Sequence, residues 1–365
     1  MNAPSPANPS GKLQQALAVQ RRRESRRLLW MGILLLVLLG TVLADIFTGP
    51  SLLPFREVID ILMHPPFPAL GFAHPDAADG LVTIVWDFRL PVALMAIVVG
   101  AALGLGGAEM QTLLDNPLAS PFTLGFSAAA GFGAALAIMF GGLLPVPGYV
   151  LTPAAAFGMT LAACALIYLL ALARGANPEV LILGGIAVLF FFQSVQSLLQ
   201  YIASPEILQQ IVFWLFGDLQ KASWTSVSVC AVVLLACLPF VARDAWALTA
   251  LRLGDANAMS IGVPVQAIRR RAFVLVALLT AVAVCFVGTI GFVGLIAPHM
   301  ARALVGEDHR FALPLAALTG ALILSGASVF AKLISPGAVV PVGIITAVAG
   351  VPMLLGIIVS RKGGI

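Results

Sequence analysis

Apolar runs of bilayer length recur from Leu28 almost to the end of the chain. A helix of about 20 apolar residues crosses the hydrocarbon core of a membrane. Lipid offers no partner to an open peptide group, so such runs are confined to helices or closed barrels. The short alternating segments of a barrel do not occur. The runs read as 28–43, 90–111, 122–139, 151–173, 179–202, 224–242, 272–287, 288–310, 313–333 and 342–360. With 60% hydrophobic and 10% charged residues over 365 positions, the expectation is an all-α polytopic membrane protein of about ten transmembrane helices.

The segments between the runs set the topology. Residues 1–27 form a basic tail, expected to be disordered, with Arg21, Arg22, Arg23, Arg26 and Arg27 just ahead of the first run. Ser25-Arg26-Arg27 before leucines superficially resembles a twin-arginine export signal, but the many later runs favour an uncleaved anchor. Residues 28–363 are read as one transmembrane domain, with a proline-rich loop over 48–88 and a polar interlude over 243–271. When loops are assigned alternately to the two sides, sixteen of the 20 Lys and Arg fall on the side of the termini. Only Arg56, Arg89, Lys221 and Lys332 fall opposite. Cytoplasmic loops carry the excess of Lys and Arg, so both termini and the 243–271 interlude are expected in the cytoplasm. The net charge of +4 thus reports membrane topology, and no nucleic-acid partner is expected.

Three stretches carry further information. Gly288, Gly291 and Gly294 recur every third residue, so on one helix they form a strip that lets a neighbour approach closely. Pro298 is expected to break that helix, with His299 and Arg302 on one face beyond it and the charged hairpin Glu307-Asp308-His309-Arg310 at its end. Gln193, Gln196, Ser197 and Gln200 form one polar face on run 179–202, either bonding neighbouring helices or lining a watery pathway. Gly100 and Gly104 have GxxxG spacing. Glu109 is an acid within a run, a functional candidate by position. The four cysteines, Cys164, Cys230, Cys237 and Cys285, lie in apolar runs without ligand-like spacing and read as core residues. No Walker A, H-E-x-x-H or G-x-S-x-G pattern occurs, so no catalytic site and no metal site is expected.

Several stretches match a known family in order and spacing. These are Arg89-Leu90-Pro91, Gln111 with Asn116-Pro117-Leu118-Ala119-Ser120-Pro121, Phe213-Trp214-Leu215-Phe216-Gly217, Leu253-Gly254-Asp255, Gly291-Phe292-Val293-Gly294-Leu295 with Pro298-His299 and Arg302, Asp308-His309-Arg310, and Pro341-Val342-Gly343 with Thr346. Over about 87–363 the chain resembles the FecCD-type permeases of ABC importers for iron-siderophores, haem and vitamin B12. The resemblance implies a type II importer permease that is not itself an enzyme, placed in the bacterial inner membrane as a homodimer. It also implies two ATP-binding cassette ATPase subunits, which hold the ATP and Mg, and a periplasmic or lipoprotein substrate-binding protein. No cofactor is implied in this chain. Arg252, Gly254, Asp255, Ala258 and Gly262 fall in the loop that couples to the ATPase. Gly291, Gly294, Pro298, His299, Arg302, Asp308, His309 and Arg310 form a cytoplasmic motif bracing that surface.

Arg89 and Lys332 match positions that dock the binding protein, although helix capping explains them as simply. The family's second arginine is Val92 here, the usual Asp and Arg of run nine are Ser328 and Lys332, and an expected Glu is Val339. These changes weaken charge-based docking or share it with Arg56 and Lys221. A ferric siderophore is the expected cargo, with haem and vitamin B12 as alternatives. The rival class is an ion-coupled secondary transporter, which would place several acids near the bilayer midplane.

Overall fold

The computed structural model describes residues 9–50, 53–63, 79–174, 177–334 and 339–360, and among these every regular element is a helix. Eight helices are long and apolar enough to cross a membrane. They are α1 (Pro9–Phe47), α4 (Leu90–Leu113) with its upstream turns, α5 (Phe126–Phe140), α6 (Gly148–Arg174), α7 (Pro178–Ile202), α9 (Trp224–Leu251), α11 (Val265–Val287) and α13 (His309–Ile334). Shorter helices fall between them: α2 (Phe55–Met63), α3 (Asp79–Thr83), α8 (Pro205–Leu215), α10 (Asp255–Ser260), α12 (Val293–Val305) and α14 (Val342–Ser360). The ten apolar runs therefore resolve into eight full-length helices and two shorter apolar ones, α12 and α14. The 13 residues of α12 rise only about 20 Å, which is short of the hydrocarbon core.

Helix α1 begins at Pro9, so the described part of the basic tail is helical where disorder was expected. Its Leu, Gln, Ala and Arg residues are good helix formers. Being continuous with a span, it needs no nucleus of its own. The helix that ends in α4 also starts earlier than the apolar pattern implies. Pro91 lacks an N–H, and its ring crowds the carbonyl one turn back. The chain passes it through a π turn, Ile84–Arg89, in which the Leu90 N–H donates to the Val85 carbonyl. The extra width of that turn accommodates the proline without breaking the helix.

Helix α4 is the centre of the bundle. Nearly all of its side chains are buried, from Pro91 to Leu113, and it packs on α9, α11, α12 and α13. Glycines make this possible. A Cβ at Gly100 would overlap the carbonyl of Gly320 in α13, one at Gly104 that of Ala316, and one at Gly107 that of Gly294 in α12. The GxxxG reading of Gly100 and Gly104 thus corresponds to backbone-to-backbone packing.

The glycine strip of 288–294 does not lie on one helix. Gly288 closes α11 at φ 79° and Phe292 precedes α12 at φ 66°, both in the left-handed region that a continuing helix excludes. Only Gly294 packs against α4, where its Cβ would lie 3.0 Å from the Leu103 carbonyl. The chain breaks here and not at Pro298, which sits inside α12. Pro298 has no N–H to offer the Gly294 carbonyl, and that carbonyl instead abuts Gly107.

Candidate functional site

The ends of α4, α9, α11 and α12 meet at one end of the bundle, together with α10 and the start of α13. The connection from α9 to α11 is a short helix held between two glycines. Gly254 at φ 90° precedes α10 and Gly262 at φ 85° follows it, conformations that favour glycine. Ala258 turns inward and is fully buried. Asp255, in the first turn of α10, accepts two hydrogen bonds of 2.8 Å from the Arg269 guanidinium. Arg269 is itself buried, and its Nε donates to the Leu113 carbonyl at 3.3 Å. One arginine of α11 therefore bridges the first turn of α10 and the last turn of α4. Arg271, two residues on, pairs with Asp244 of α9 through bonds of 2.9 and 2.8 Å.

The α12–α13 hairpin locks onto the same surface. Arg302 donates to the Gln111 side chain, while Gln111 Nε2 donates to the Leu295 carbonyl at 3.1 Å. Glu307 lies 3.2 Å from Arg252 and 3.7 Å from Arg302, and Arg252 also lies 3.7 Å from Asp115. His309 is buried. Its Nε2 is 2.7 Å from the Thr112 hydroxyl, and its backbone N–H donates to Thr249 Oγ1 at 2.9 Å. Asp308 pairs with Arg310 at 2.8 Å and with Arg27 of α1 at 3.4 Å. The hydrogen bond from Arg310 holds its carboxyl below the ordinary carboxylate range. Arg27 also lies over the Phe311 ring, 4.6 Å from its centroid, a favourable cation–π placement.

The expected coupling residues and most of the expected motif thus share one surface. Gly291 lies outside it, in the non-helical link before α12, and His299 is half-buried on α12. Glu307 of the charged hairpin belongs to it as expected, whereas Asp115, Arg269, Thr112 and Thr249 belong to it but were not anticipated. Charged residues at span ends were the available sign of them. Arg269-Arg270-Arg271 reads as a uniform basic run, however, and only the fold sends Arg269 inward.

At the opposite end lie the two cations matched to binding-protein docking, Arg89 and Lys332. Arg89 is buried and donates to the Ile46 and Phe47 carbonyls at 2.8 and 3.2 Å. Lys332 is buried 2.8 Å from Asp45 Oδ1, and its Nζ also donates to the Asp45 carbonyl at 2.9 Å. Both cations clamp the end of α1, so neither charge faces outward. Ser328 Oγ donates to Asp45 Oδ1 at 2.8 Å. Asp45 of α1 therefore supplies beside Lys332 the carboxylate that position 328 lacks. Val92 is a core residue.

On α7, Gln193 and Ser197 are exposed on the single subunit, and Gln196 and Gln200 are half-buried. Gly131 of α5 makes room for Gln196, since a Cβ there would lie 2.5 Å from its Oε1. A cavity of about 1160 Å³ opens among α6, α8, α9 and α11, and Tyr149, Phe213 and Lys221 are among its lining residues. The polar face of α7 takes no part in it. Glu109 is fully buried in α4, and neither carboxyl oxygen has a hydrogen-bond partner among the described residues. All four cysteines are buried and free.

Comparison with known proteins places this architecture. The profile of the FecCD transport family matches residues 34–360. The vitamin B12 import system permease protein BtuC of Klebsiella pneumoniae is 32% identical over 95% of this chain and 98% of its own length. The hemin transport system permease protein HmuU of Yersinia pestis is 34% identical over 92% of this chain and 96% of its own. A solved structure described as an inward-facing conformation of a metal-chelate type ABC transporter superposes with a TM-score of 0.75 at 30% identity, covering 91% of this chain and 98% of that one.

Proposed function

The chain belongs to the FecCD transport family as the permease of an ABC importer, and on that premise we propose that it carries an iron chelate, a ferric siderophore first, into the cytoplasm. Two copies enclose the pathway, and two ATP-binding cassette subunits, which hold the ATP and Mg, sit against the arginine-rich end. A substrate-binding protein delivers the cargo from the other side. The excess of arginine at the end that carries α10 supports a cytoplasmic placement of that end and of both termini. The described side chains at that surface are arranged to bind one another, and the expected chemistry of hydrolysis belongs to the ATPase subunits.

The observation that carries the reading is the Arg269 bridge. Closure of the ATPase pair displaces α10, which is tied to Arg269 through Asp255. Arg269 passes the displacement to Leu113 at the end of α4. Because α4 meets α12 and α13 backbone to backbone, that motion moves a packed body and not a single side chain. The exposed Gln193 and Ser197 face of α7, with Gln196 and Gln200 beside it, is the candidate lining of the pathway.

The cargo assignment is supported by the metal-chelate type transporter. Haem and vitamin B12 are the alternatives, since the haemin and B12 permeases match about as closely. Uptake of a radiolabelled ferric siderophore into proteoliposomes holding the complete transporter tests it. The expected result is ATP-dependent accumulation that excess haemin or cobalamin does not suppress. Accumulation of cobalamin or haemin alone would reassign the cargo.

A further inference from the structure

We propose that α1 carries a binding site for anionic phospholipid headgroups, formed by Arg22 and Arg26 on the face turned away from the bundle. Arg22, Arg26, Leu29, Ile33 and Leu36 follow one another at three- and four-residue spacing, so they share a single helix face. Arg22 and Arg26 are exposed, as are Leu29, Ile33 and Leu36 at 62%, 38% and 70%. The opposite face is committed to the protein. Arg27 pairs with Asp308, Leu34 and Leu38 are buried in the main core, and Asp45 takes the Lys332 ammonium.

This exposed apolar face of a membrane-spanning helix has no partner among the described residues, and on this proposal it faces lipid. The same ridge carries both arginines just before its first leucine. Arg26 lies three residues before Leu29, a rise of about 4.5 Å, which falls within an interfacial layer of about 5–7.5 Å outside the hydrocarbon core. Arg22 lies one turn further out on the same ridge. Glu24 accepts a hydrogen bond from Gln20 at 3.1 Å, and against its single carboxylate the two arginines keep a net positive charge. Two cations at headgroup depth, continuous with a lipid-facing ridge, fit a phosphate diester with its chains along Leu29, Ile33 and Leu36. A planar guanidinium is suited to two-point contact with that phosphate.

The site can be probed in the intact permease. Ser25 is exposed beside the two arginines, and the native cysteines are buried, so a fluorophore on Ser25→Cys reports lipid at this position. The protein is reconstituted in phosphatidylcholine vesicles doped with quencher-bearing phosphatidylglycerol or quencher-bearing phosphatidylcholine. Each arginine near an anionic surface favours association by roughly fivefold, so the pair gives a preference of up to about 30-fold for the anionic quencher at low salt. Arg22→Gln/Arg26→Gln should bring that preference close to one while leaving the thermal midpoint unchanged.

An equal response to both quenchers in the unsubstituted protein, or a preference that survives the double substitution, overturns the proposal. So does a millimolar inorganic phosphate effect beyond that of chloride at equal ionic strength, which would mark a free-phosphate site. Loss of ATPase-subunit binding in the double variant with lipid preference intact would assign the arginines to a protein partner.

Discussion

A methyl group added at Gly107 would overlap the Gly294 carbonyl, whereas one added at Gly106 would meet Thr280 Oγ1 at an ordinary 3.7 Å. Both lie within the glycine-rich middle of α4, yet they should respond in opposite ways. Gly107→Ala is expected to destabilise the detergent-solubilised protein by about 1–3 kcal/mol through overpacking. Gly106→Ala should be neutral or stabilising by up to about 1 kcal/mol, because alanine is the better helix former. Thermal midpoints of the two variants check this, and equal losses would contradict the packing. The buried Lys332–Asp45 pair gives a second contrast. Lys332→Met alone leaves a buried carboxylate without its cation and should cost about 3–5 kcal/mol. Adding Asp45→Leu should recover most of that loss, and a double variant as unstable as the single would show that the pair does not act as a unit.

At the scale of elements, the α9–α10–α11 connection is the part whose geometry does most to link the two ends of the proposed cycle. Arg269→Lys keeps the charge but cannot hold Asp255 at two points while also reaching the Leu113 carbonyl. The variant is expected to fold and to bind its ATPase subunits, with transport per ATP hydrolysed reduced roughly 10-fold, on the scale of about 1.4 kcal/mol of lost coupling. Uptake and hydrolysis measured in the same vesicles check this, and an unchanged ratio would remove Arg269 from the relay.

How much of this was legible beforehand follows from the kind of information each feature needs. Gly100 and Gly104 were readable because spacing alone places them on one face. The polar interlude over 243–271, which holds α10, was readable from its composition. The break at Gly288–Phe292 was not, because it rests on backbone angles at two residues, one of them a phenylalanine. Arg269 was hidden inside a run of three arginines of which Arg270 is exposed and Arg271 pairs with Asp244. Arg89 and Lys332 were open to two readings, because a cation at a span end reads alike whether it faces a partner or caps carbonyls of its own chain.

For the whole molecule, α4 is the central one of eight full-length helices among the described residues, α12 stops short beside it, and charged groups tie the arginine-rich end together. That arrangement suits a body rocked from one end by a separate motor. An ion-coupled carrier would instead concentrate acids in the middle of the bundle, whereas the two fully buried acids among the described residues, Asp45 and Glu109, lie near the ends of α1 and α4. The most direct measurement is cargo uptake into proteoliposomes holding this chain, its ATPase subunits and its binding protein, with ATP and ion gradients varied separately. Accumulation is expected only with ATP and the ATPase subunits present, at a rate indifferent to proton and sodium gradients. Uptake by the chain alone, driven by either gradient without ATP, would contradict the account.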